Sequence, residues 1–207
     1  MATRILPIQR GYGTAKRALD LGFCIVLLPA IILALAACAV AIWIDSPGPV
    51  IFKQQRTGRH GLRFGMYKFR TMVTNAEELK ADLQHLSIVP LPDFKVIDDP
   101  RITRVGRFLR KTSLDELPQL VNVIRGEMSL VGPRPTSFAP STYDLWHTER
   151  LEVLPGVTGL WQVVGRNAAT FDERLRLDIE YIDRMSFRLD IWILMRTLLA
   201  VVRRSGA

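Results

Sequence analysis

Asp115 and Glu116 are the adjacent residues whose types and spacing best suit chemistry in this sequence. Ser113, three positions before Glu116, predicts a capping box that places both acids in the first turn of a helix. The free backbone amides and the positive dipole end of such a turn favour carboxylates, and they also favour phosphates. Acidic residues in a first helical turn need no catalytic reason, so the pair alone does not establish a site.

Basic residues around the carboxylate pair favour a phosphate site. Arg107 and Arg110 lie just upstream, and Arg134 stands between two prolines that restrict its backbone. Phosphoryl transfer needs a nucleophile, a divalent cation and cationic groups that stabilise charge on the phosphate oxygens. Successive helical residues point about 100° apart, so Asp115 can face phosphorus while Glu116 faces a metal ion. An aspartate nucleophile would pass through an aspartyl-phosphate.

Composition limits the partners and the metal. The chain has 207 residues, enough for one catalytic unit, and a formal net charge of +8. That charge indicates anionic partners, which phosphate-bearing substrates, anionic lipid and nucleic acid satisfy equally. Both cysteines, Cys24 and Cys38, lie in one apolar run and the histidines are scattered, so neither a disulfide framework nor a zinc cluster is indicated. Any metal is expected to be a hard cation on carboxylates.

An uncharged run from Leu21 to Ile44 predicts a membrane segment. Its 24 residues are long enough to cross the hydrocarbon core, roughly 30 Å thick, as a helix. Basic residues flank both ends, with Lys16 and Arg17 before the run and Lys53 after it. Positive charge prefers the cytoplasmic side, so we expect both ends to face the cytoplasm and the helix to be re-entrant, broken at Pro29.

Alternatives to this membrane assignment remain open. The run also fits a plain anchor helix with a tolerated proline kink, and Leu35-Ala36-Ala37-Cys38 matches a lipoprotein signal locally, although the apolar run continues through Ile44. A second apolar stretch, Phe187 to Val202, contains charged residues and predicts an amphipathic C-terminal helix at the membrane interface. An ordinary core helix with exposed arginines fits that stretch equally.

The remaining patterns predict an α+β fold that is mostly helical, with a small catalytic α/β body. Residues 1–48 form the predicted N-terminal tail and membrane helix, and residues 49–207 the predicted catalytic domain with interfacial helices. The alternation of apolar and polar residues predicts strands, and helical periodicity predicts helices. The predicted strands are 50–52 and 63–69 around a basic loop at 56–61, and the predicted helices are 76–86, 102–110, 114–124, 171–185 and the C-terminal stretch.

Four motifs, taken in order, resemble the bacterial sugar transferase family. The likeness covers nearly the whole chain, which makes it far more specific than any one motif. The motifs are Lys68-Phe-Arg-Thr-Met72, the stretch Arg110 to Val123 around Asp115-Glu116, Met128 to Pro135, and Pro155 to Gln162 followed by Gly165-Arg166.

The resemblance implies a monotopic phosphoglycosyl transferase on the cytoplasmic face of the bacterial inner membrane. The implied reaction transfers a sugar-1-phosphate from a UDP-sugar to undecaprenyl phosphate and releases UMP, as the first membrane step of exopolysaccharide or glycan synthesis. It runs by a ping-pong mechanism through an aspartyl-phosphosugar. The implied partners are these two substrates and the lipid bilayer, with no nucleic acid. A homo-oligomer and association with downstream glycosyltransferases both stay open.

The resemblance also implies roles for individual residues. The small members that resemble this chain carry Ser-Pro at the helix break where this sequence has Leu28-Pro29, so the turn is less assured here. The nucleophile maps to Asp115 and the ligand of Mg²⁺ to Glu116, with Lys68 and Asp178 completing the catalytic set and Arg134, Arg110 and Arg166 binding phosphate.

Two other classes of function compete with the transferase. A non-catalytic membrane scaffold would have no need of the Asp115-Glu116 pair. A membrane-anchored nucleic-acid binder would want exposed aromatic residues among its arginines. Phe64, Tyr67 and Phe69 offer such a pattern, but their alternation is explained more simply by strand packing.

Overall fold

The computed structural model describes residues 11–87, 94, 96–138, 145–164 and 170–203. These residues form a mostly helical structure with two small sheets, which confirms the predicted fold class. The boundary between the predicted domains, at residues 48 and 49, stays a prediction. The helices are α1 (Tyr12–Asp45), α2 (Arg104–Thr112), α3 (Leu120–Arg125), α4 (Leu160–Val164), α5 (Phe171–Asp183) and α6 (Phe187–Val202), and the strands are β1 (Ile51–Thr57), β2 (Arg63–Phe69), β3 (Ser129–Val131) and β4 (Gly156–Thr158).

The first end of α1 is held on the body by buried polar contacts. Asp190 on α6 accepts hydrogen bonds at Oδ2 from Tyr12 Oη (2.7 Å) and Lys16 Nζ (2.6 Å), and at Oδ1 from Tyr181 Oη of α5 (2.7 Å). One turn further along α1, the Asp20 carboxylate accepts the backbone N–H of Leu130 on β3 at 3.1 Å. These contacts tie α1 to α5, α6 and β3.

The second end of α1 lies against a different part of the same body. Cys38 and Ile42 are buried with Phe69 of β2 and Leu109 of α2. Asp45 Oδ2 accepts the backbone N–H of Val105 in the first turn of α2 at 2.9 Å. Between the two ends, residues 25–30 are all exposed, so α1 touches the body at both ends and not in between.

Pro29 lies inside α1 and the helix continues through it. The structure therefore does not confirm the break that the sequence predicts at this residue, and the re-entrant path stays a prediction. α1 is a helix that is long and apolar enough to cross a membrane by length and composition.

The β1–β2 hairpin carries Lys68 into the body. The two strands are antiparallel, with Phe52 opposite Lys68. Asn122 of α3, fully buried, accepts the backbone N–H of Tyr67 at 3.1 Å and donates to the carbonyl of Gly65 at 2.9 Å. Its amide thereby takes the place of a neighbouring strand at the open edge of β2 and fixes that edge against α3.

The β3–β4 pair positions the loop that carries Arg134. The strands are parallel, and the backbone packs closely at Gly156, the first residue of β4, and at Gly132 and Gly159, which directly follow β3 and β4. A Cβ atom on any of these three glycines would collide with backbone atoms of the facing segment. The two segments approach so closely because none of the three carries a side chain.

The capping box predicted at Ser113 is wrong. α2 runs to Thr112, and Ser113 is its C-cap in the left-handed region, with φ 57° and its N–H bonded to the α2 carbonyl of Arg110. A left-handed residue at this place is the ordinary end of a helix, so Ser113 cannot also be the extended N-cap of the next one. Its side chain makes no capping bond to the following turn.

The observed ranges of the other helices and strands confirm some of the predicted elements and correct others. The C-terminal helix has the predicted range, and α5 ends two residues earlier than predicted. The predicted helix at 76–86 is wrong, because only short 3₁₀ turns form there. β1 extends to Thr57 and so includes the start of the predicted basic loop. The 3₁₀ turns span Arg59–Gly61, Glu78–Lys80, Gln84–Leu86, Leu114–Gln119 and Leu145–Glu152.

Candidate active site

Glu116 lies at the centre of a cluster built from three separate elements. It belongs to the 3₁₀ turn Leu114–Gln119 and its side chain is 17% exposed. Lys68 Nζ of β2 donates to Glu116 Oε1 at 3.0 Å. The Arg134 guanidinium, from the loop after β3, donates to Oε1 at 2.5 Å and to Oε2 at 3.4 Å. The fold therefore brings together residues that lie far apart in the sequence.

The charges in this cluster determine its ionisation. Burial would raise the pKa of Glu116, but the guanidinium of Arg134 and the ammonium of Lys68 outweigh it and hold that pKa well below its ordinary value. Burial lowers the pKa of Lys68, while Glu116 opposes that shift by stabilising the ammonium. Glu116 is consequently ionised throughout the physiological pH range. Its carboxylate holds the side chains of Lys68 and Arg134 in place.

Asp115, next in the same turn, has a different environment. Among the described residues none donates a hydrogen bond to its carboxylate. Burial raises the pKa of Asp115, and the positive charge of Lys68 partly offsets this shift. The positive charge of Arg110 on α2 also attracts the Asp115 carboxylate. Arg110 is itself held by a hydrogen bond that its Nε donates to Thr71 Oγ1 at 2.9 Å. Asp115 is thus a carboxylate surrounded by cations and held by none of the described side chains.

Asp178 of α5 lies behind Arg134. It is 1% exposed and forms an ion pair with Arg150, at 2.6 Å between Oδ2 and the guanidinium. Arg150 in turn donates to the Arg134 carbonyl. Asp178 and Arg150 together therefore hold the main chain of Arg134. Burial, opposed by Arg150, raises the pKa of Asp178 to about 7.

The structure brings most of the predicted site residues together. Asp178 pairs with Arg150, which donates to the Arg134 carbonyl, so its position favours a role in positioning Arg134. Arg166 lies outside the described residues. Sequence reasoning missed Arg150, because a single arginine in a stretch without a motif gives no local signal. The residues joined in one cluster around the carboxylate pair are Asp115, Glu116, Lys68, Arg110 and Arg134.

The carboxylate pair suits a magnesium ion that is completed by a substrate. Within the described ranges no three acidic, histidine or cysteine side chains group as a metal site. Mg²⁺, however, is commonly bound by one or two carboxylates together with phosphate oxygens and waters. A carboxylate has about four lone-pair sites, and Glu116 Oε2 meets only the 3.4 Å contact from Arg134. Glu116 therefore retains an oxygen that can serve a hard cation.

Comparison with known proteins identifies the family. The profile of a family described as bacterial sugar transferase matches residues 11–204. The chain belongs to the bacterial sugar transferase family. The resemblance inferred from the four motifs is thereby confirmed, and the roles of the individual site residues stay predictions.

Three curated relatives of this bacterial sugar transferase are informative. An undecaprenyl-phosphate galactose phosphotransferase of Salmonella typhimurium is 44% identical over 98% of this chain and 44% of its own length. An undecaprenyl-phosphate glucose phosphotransferase of Komagataeibacter xylinus is 43% identical over 93% of this chain and 36% of its own length. The exopolysaccharide production protein ExoY of Rhizobium meliloti is 38% identical over 94% of this chain and 88% of its own length. This chain therefore spans less than half of the first two relatives.

Proposed function

We propose that this bacterial sugar transferase moves a sugar-1-phosphate from a UDP-sugar to undecaprenyl phosphate and releases UMP. The observation that carries the proposal is the pairing of two unlike carboxylates: Glu116 is held between Lys68 and Arg134, while Asp115 beside it has no described hydrogen-bond donor. Glu116 is positioned to hold the cationic groups in place, and Asp115 is available to attack phosphorus. The names of the galactose and glucose relatives support the reaction class.

In the first half-reaction, a carboxylate oxygen of Asp115 attacks the β-phosphorus of the donor. The bond from that phosphorus to the oxygen bridging the two phosphates breaks, and UMP leaves with the electron pair. Arg134 and Lys68 face the charge that accumulates on the phosphate oxygens, a stabilisation that enzymes of phosphoryl transfer commonly use. Glu116 keeps both cations in place. Asp115 then carries the phosphosugar as an acyl phosphate.

In the second half-reaction, an oxygen of undecaprenyl phosphate attacks the phosphorus held on Asp115. The bond between phosphorus and the Asp115 oxygen breaks, which restores the carboxylate and leaves the sugar on a lipid diphosphate. Mg²⁺ held by Glu116, phosphate oxygens and water would neutralise charge on the phosphates during this chemistry.

Exposed apolar side chains support a location at the lipid bilayer. α6 exposes a stripe at helical spacing, namely Ile191, Met195, Leu198 and Val202. Such a stripe on an otherwise folded body is typical of a membrane or protein contact. The contacts that hold both ends of α1 on one body support the re-entrant path, since a helix crossing the bilayer would carry its ends to opposite sides. With basic flanks at both ends, this favours the cytoplasmic face of the inner membrane.

Release of UMP tests the proposal. Detergent-solubilised protein is assayed with magnesium, undecaprenyl phosphate and a panel of UDP-sugars, and wild type is compared with Asp115→Asn. We expect release with at least one sugar, a loss of at least 1,000-fold in the variant because an amide cannot form the acyl phosphate, and loss of activity when magnesium is chelated. Asp82→Asn changes an exposed acid outside the site and is the matched control. Absence of release with every donor, from folded wild-type protein, would instead favour the scaffold.

A further inference from the structure

A cavity borders Arg134, and its described lining includes neither Asp115 nor Glu116. Its volume is about 130 Å³, many times the roughly 10–15 Å³ that one water molecule requires. It is therefore large enough for a planar ring. The loop 134–138, β1, α4, α5 and the 3₁₀ turn Leu145–Glu152 contribute its walls.

The charged residues of this cavity suit an anion. Among its described lining residues are four arginines, Arg56, Arg134, Arg150 and Arg174, and one acid, Asp178. Arg150 is committed to Asp178 by the ion pair described above. The lining thus carries an excess of positive charge, and one of its guanidinium groups, that of Arg134, also contacts Glu116.

Aromatic rings form another part of the lining. The Arg174 guanidinium lies 5.6 Å from the centre of the Trp161 ring and 5.8 Å from that of Phe171. Phe138 packs edge-on against Phe171, with ring centres 5.3 Å apart. Trp161 is half-buried and lines the cavity. A tryptophan face supported by an arginine is a surface on which a nucleobase stacks well.

We propose that this cavity binds the nucleoside monophosphate half of the donor, with the base stacked on Trp161 and the adjacent phosphate facing Arg134 and Arg56. Arg134 borders both the cavity and the carboxylate cluster, so a diphosphate that straddles it places the sugar phosphate on the side of Asp115. The inference rests on the proposed function, because it assigns a place to the leaving nucleotide of that reaction.

The lipid substrate is the other molecule that combines an anion with an apolar part. The cavity fits it less well, because the described lining residues come from neither α1, α3 nor α6. The apolar side chains exposed on those three helices are the ones placed to meet lipid, such as Val121, Ile124 and Met195. A polyprenyl chain would also leave the aromatic and cationic wall without a matching partner.

Calorimetric titration with UMP tests the assignment directly. We expect Trp161→Ala to raise the Kd for UMP about 10-fold or more, because stacking on an aromatic side chain is worth about 1–3 kcal/mol. Trp161→Phe keeps a smaller ring and should recover part of the affinity. Trp43→Phe, which changes a 62% exposed tryptophan on α1, is the control and should leave the Kd unchanged.

Separate half-reactions give the second readout. Trp161→Ala should raise the KM for the UDP-sugar in UMP release, while transfer from isolated phosphosugar-enzyme to undecaprenyl phosphate should keep its rate, since UMP has already left. If Trp161→Ala does not fold, Arg174→Gln provides the same test, with the exposed Arg176→Gln on the same helix as its control.

The outcomes separate the two proposals. An unchanged Kd for UMP in folded Trp161→Ala or Arg174→Gln overturns the nucleotide site while leaving the transferase proposal intact. A defect confined to the second half-reaction overturns it as well and assigns the cavity to the lipid phosphate. Wild-type protein that neither binds nor releases UMP would overturn the proposed function itself.

Discussion

Asp190 offers the sharpest test of how α1 is attached to the catalytic body. It is 6% exposed, and its two carboxylate oxygens accept hydrogen bonds from Tyr12, Lys16 and Tyr181. Asp190→Asn keeps the shape of the side chain and one acceptor oxygen but removes the charge. The perturbation therefore weakens the junction of α1, α5 and α6 without opening a cavity.

The size of the effect follows from the lost contacts. A hydrogen bond to a charged group contributes about 1.5–3 kcal/mol, and a buried ion pair that loses one partner costs about 3–5 kcal/mol. Lys16 retains some contact with solvent, at 16% exposure of its side chain, so the lower part of that range applies. We expect Asp190→Asn to lower the free energy of unfolding by about 3 kcal/mol, or the Tm by about 6–12 °C for a chain of this length.

The assay is thermal unfolding of detergent-solubilised protein, with Asp82→Asn as the control for loss of an exposed acid. Asp190→Ala removes both acceptor oxygens, which takes away the acceptor of Tyr12 Oη and leaves Tyr181 Oη only the 3.3 Å contact with the Val131 carbonyl. Its Tm should therefore fall further than that of the Asn variant. A Tm for Asp190→Asn within about 2 °C of the wild type would refute the reasoning, because 1 kcal/mol alone shifts the Tm by about that much.

Two further predictions follow from Asp178 and from α1. With the pKa of Asp178 raised to about 7, the carboxylate protonates below that pH and loses its ion pair with Arg150, so kcat/KM should fall about tenfold from pH 8 to pH 6. Asp178→Asn should be less active at pH 8 and should lack this fall, and a flat wild-type profile would contradict the positioning role. If α1 is re-entrant, cysteines at the exposed positions Thr14 and Leu62 should react with a membrane-impermeant reagent from the same side of sealed vesicles. Reaction from opposite sides would establish a spanning helix.

Elements with a strong local signal were predicted well from the sequence. Thr170 and Glu173 form a capping box that starts α5 where the helical pattern begins, and Ser186 caps α6 at its predicted start. The pattern at Ser113 looks the same in sequence, but the preceding helix extends up to this residue and makes it a C-cap. A local motif cannot reveal that the neighbouring element already uses the same residue.

The candidate site likewise contains residues that the sequence identified and contacts that it did not. Asp115 and Glu116 were identified from adjacent residue types, Arg134 from its place between two prolines near them, and Lys68 from the motif resemblance. Asp178 was also named by the resemblance, but its pairing with Arg150 was not predictable, because the two residues come from separate elements and meet only in the folded chain. The buried amide of Asn122 at the edge of β2 gave no signal either, since an asparagine within an apolar helix pattern is equally consistent with an exposed position.

The three glycines that meet at the β3–β4 pair limit how this chain can be re-engineered. Because Gly132, Gly156 and Gly159 pack backbone against backbone, any larger residue there would displace the loop that carries Arg134. A library aimed at a new donor should therefore leave these positions fixed. Variation is better placed at the cavity wall, where Thr136 and Ser137 keep some contact with solvent and a change of side chain need not move the main chain.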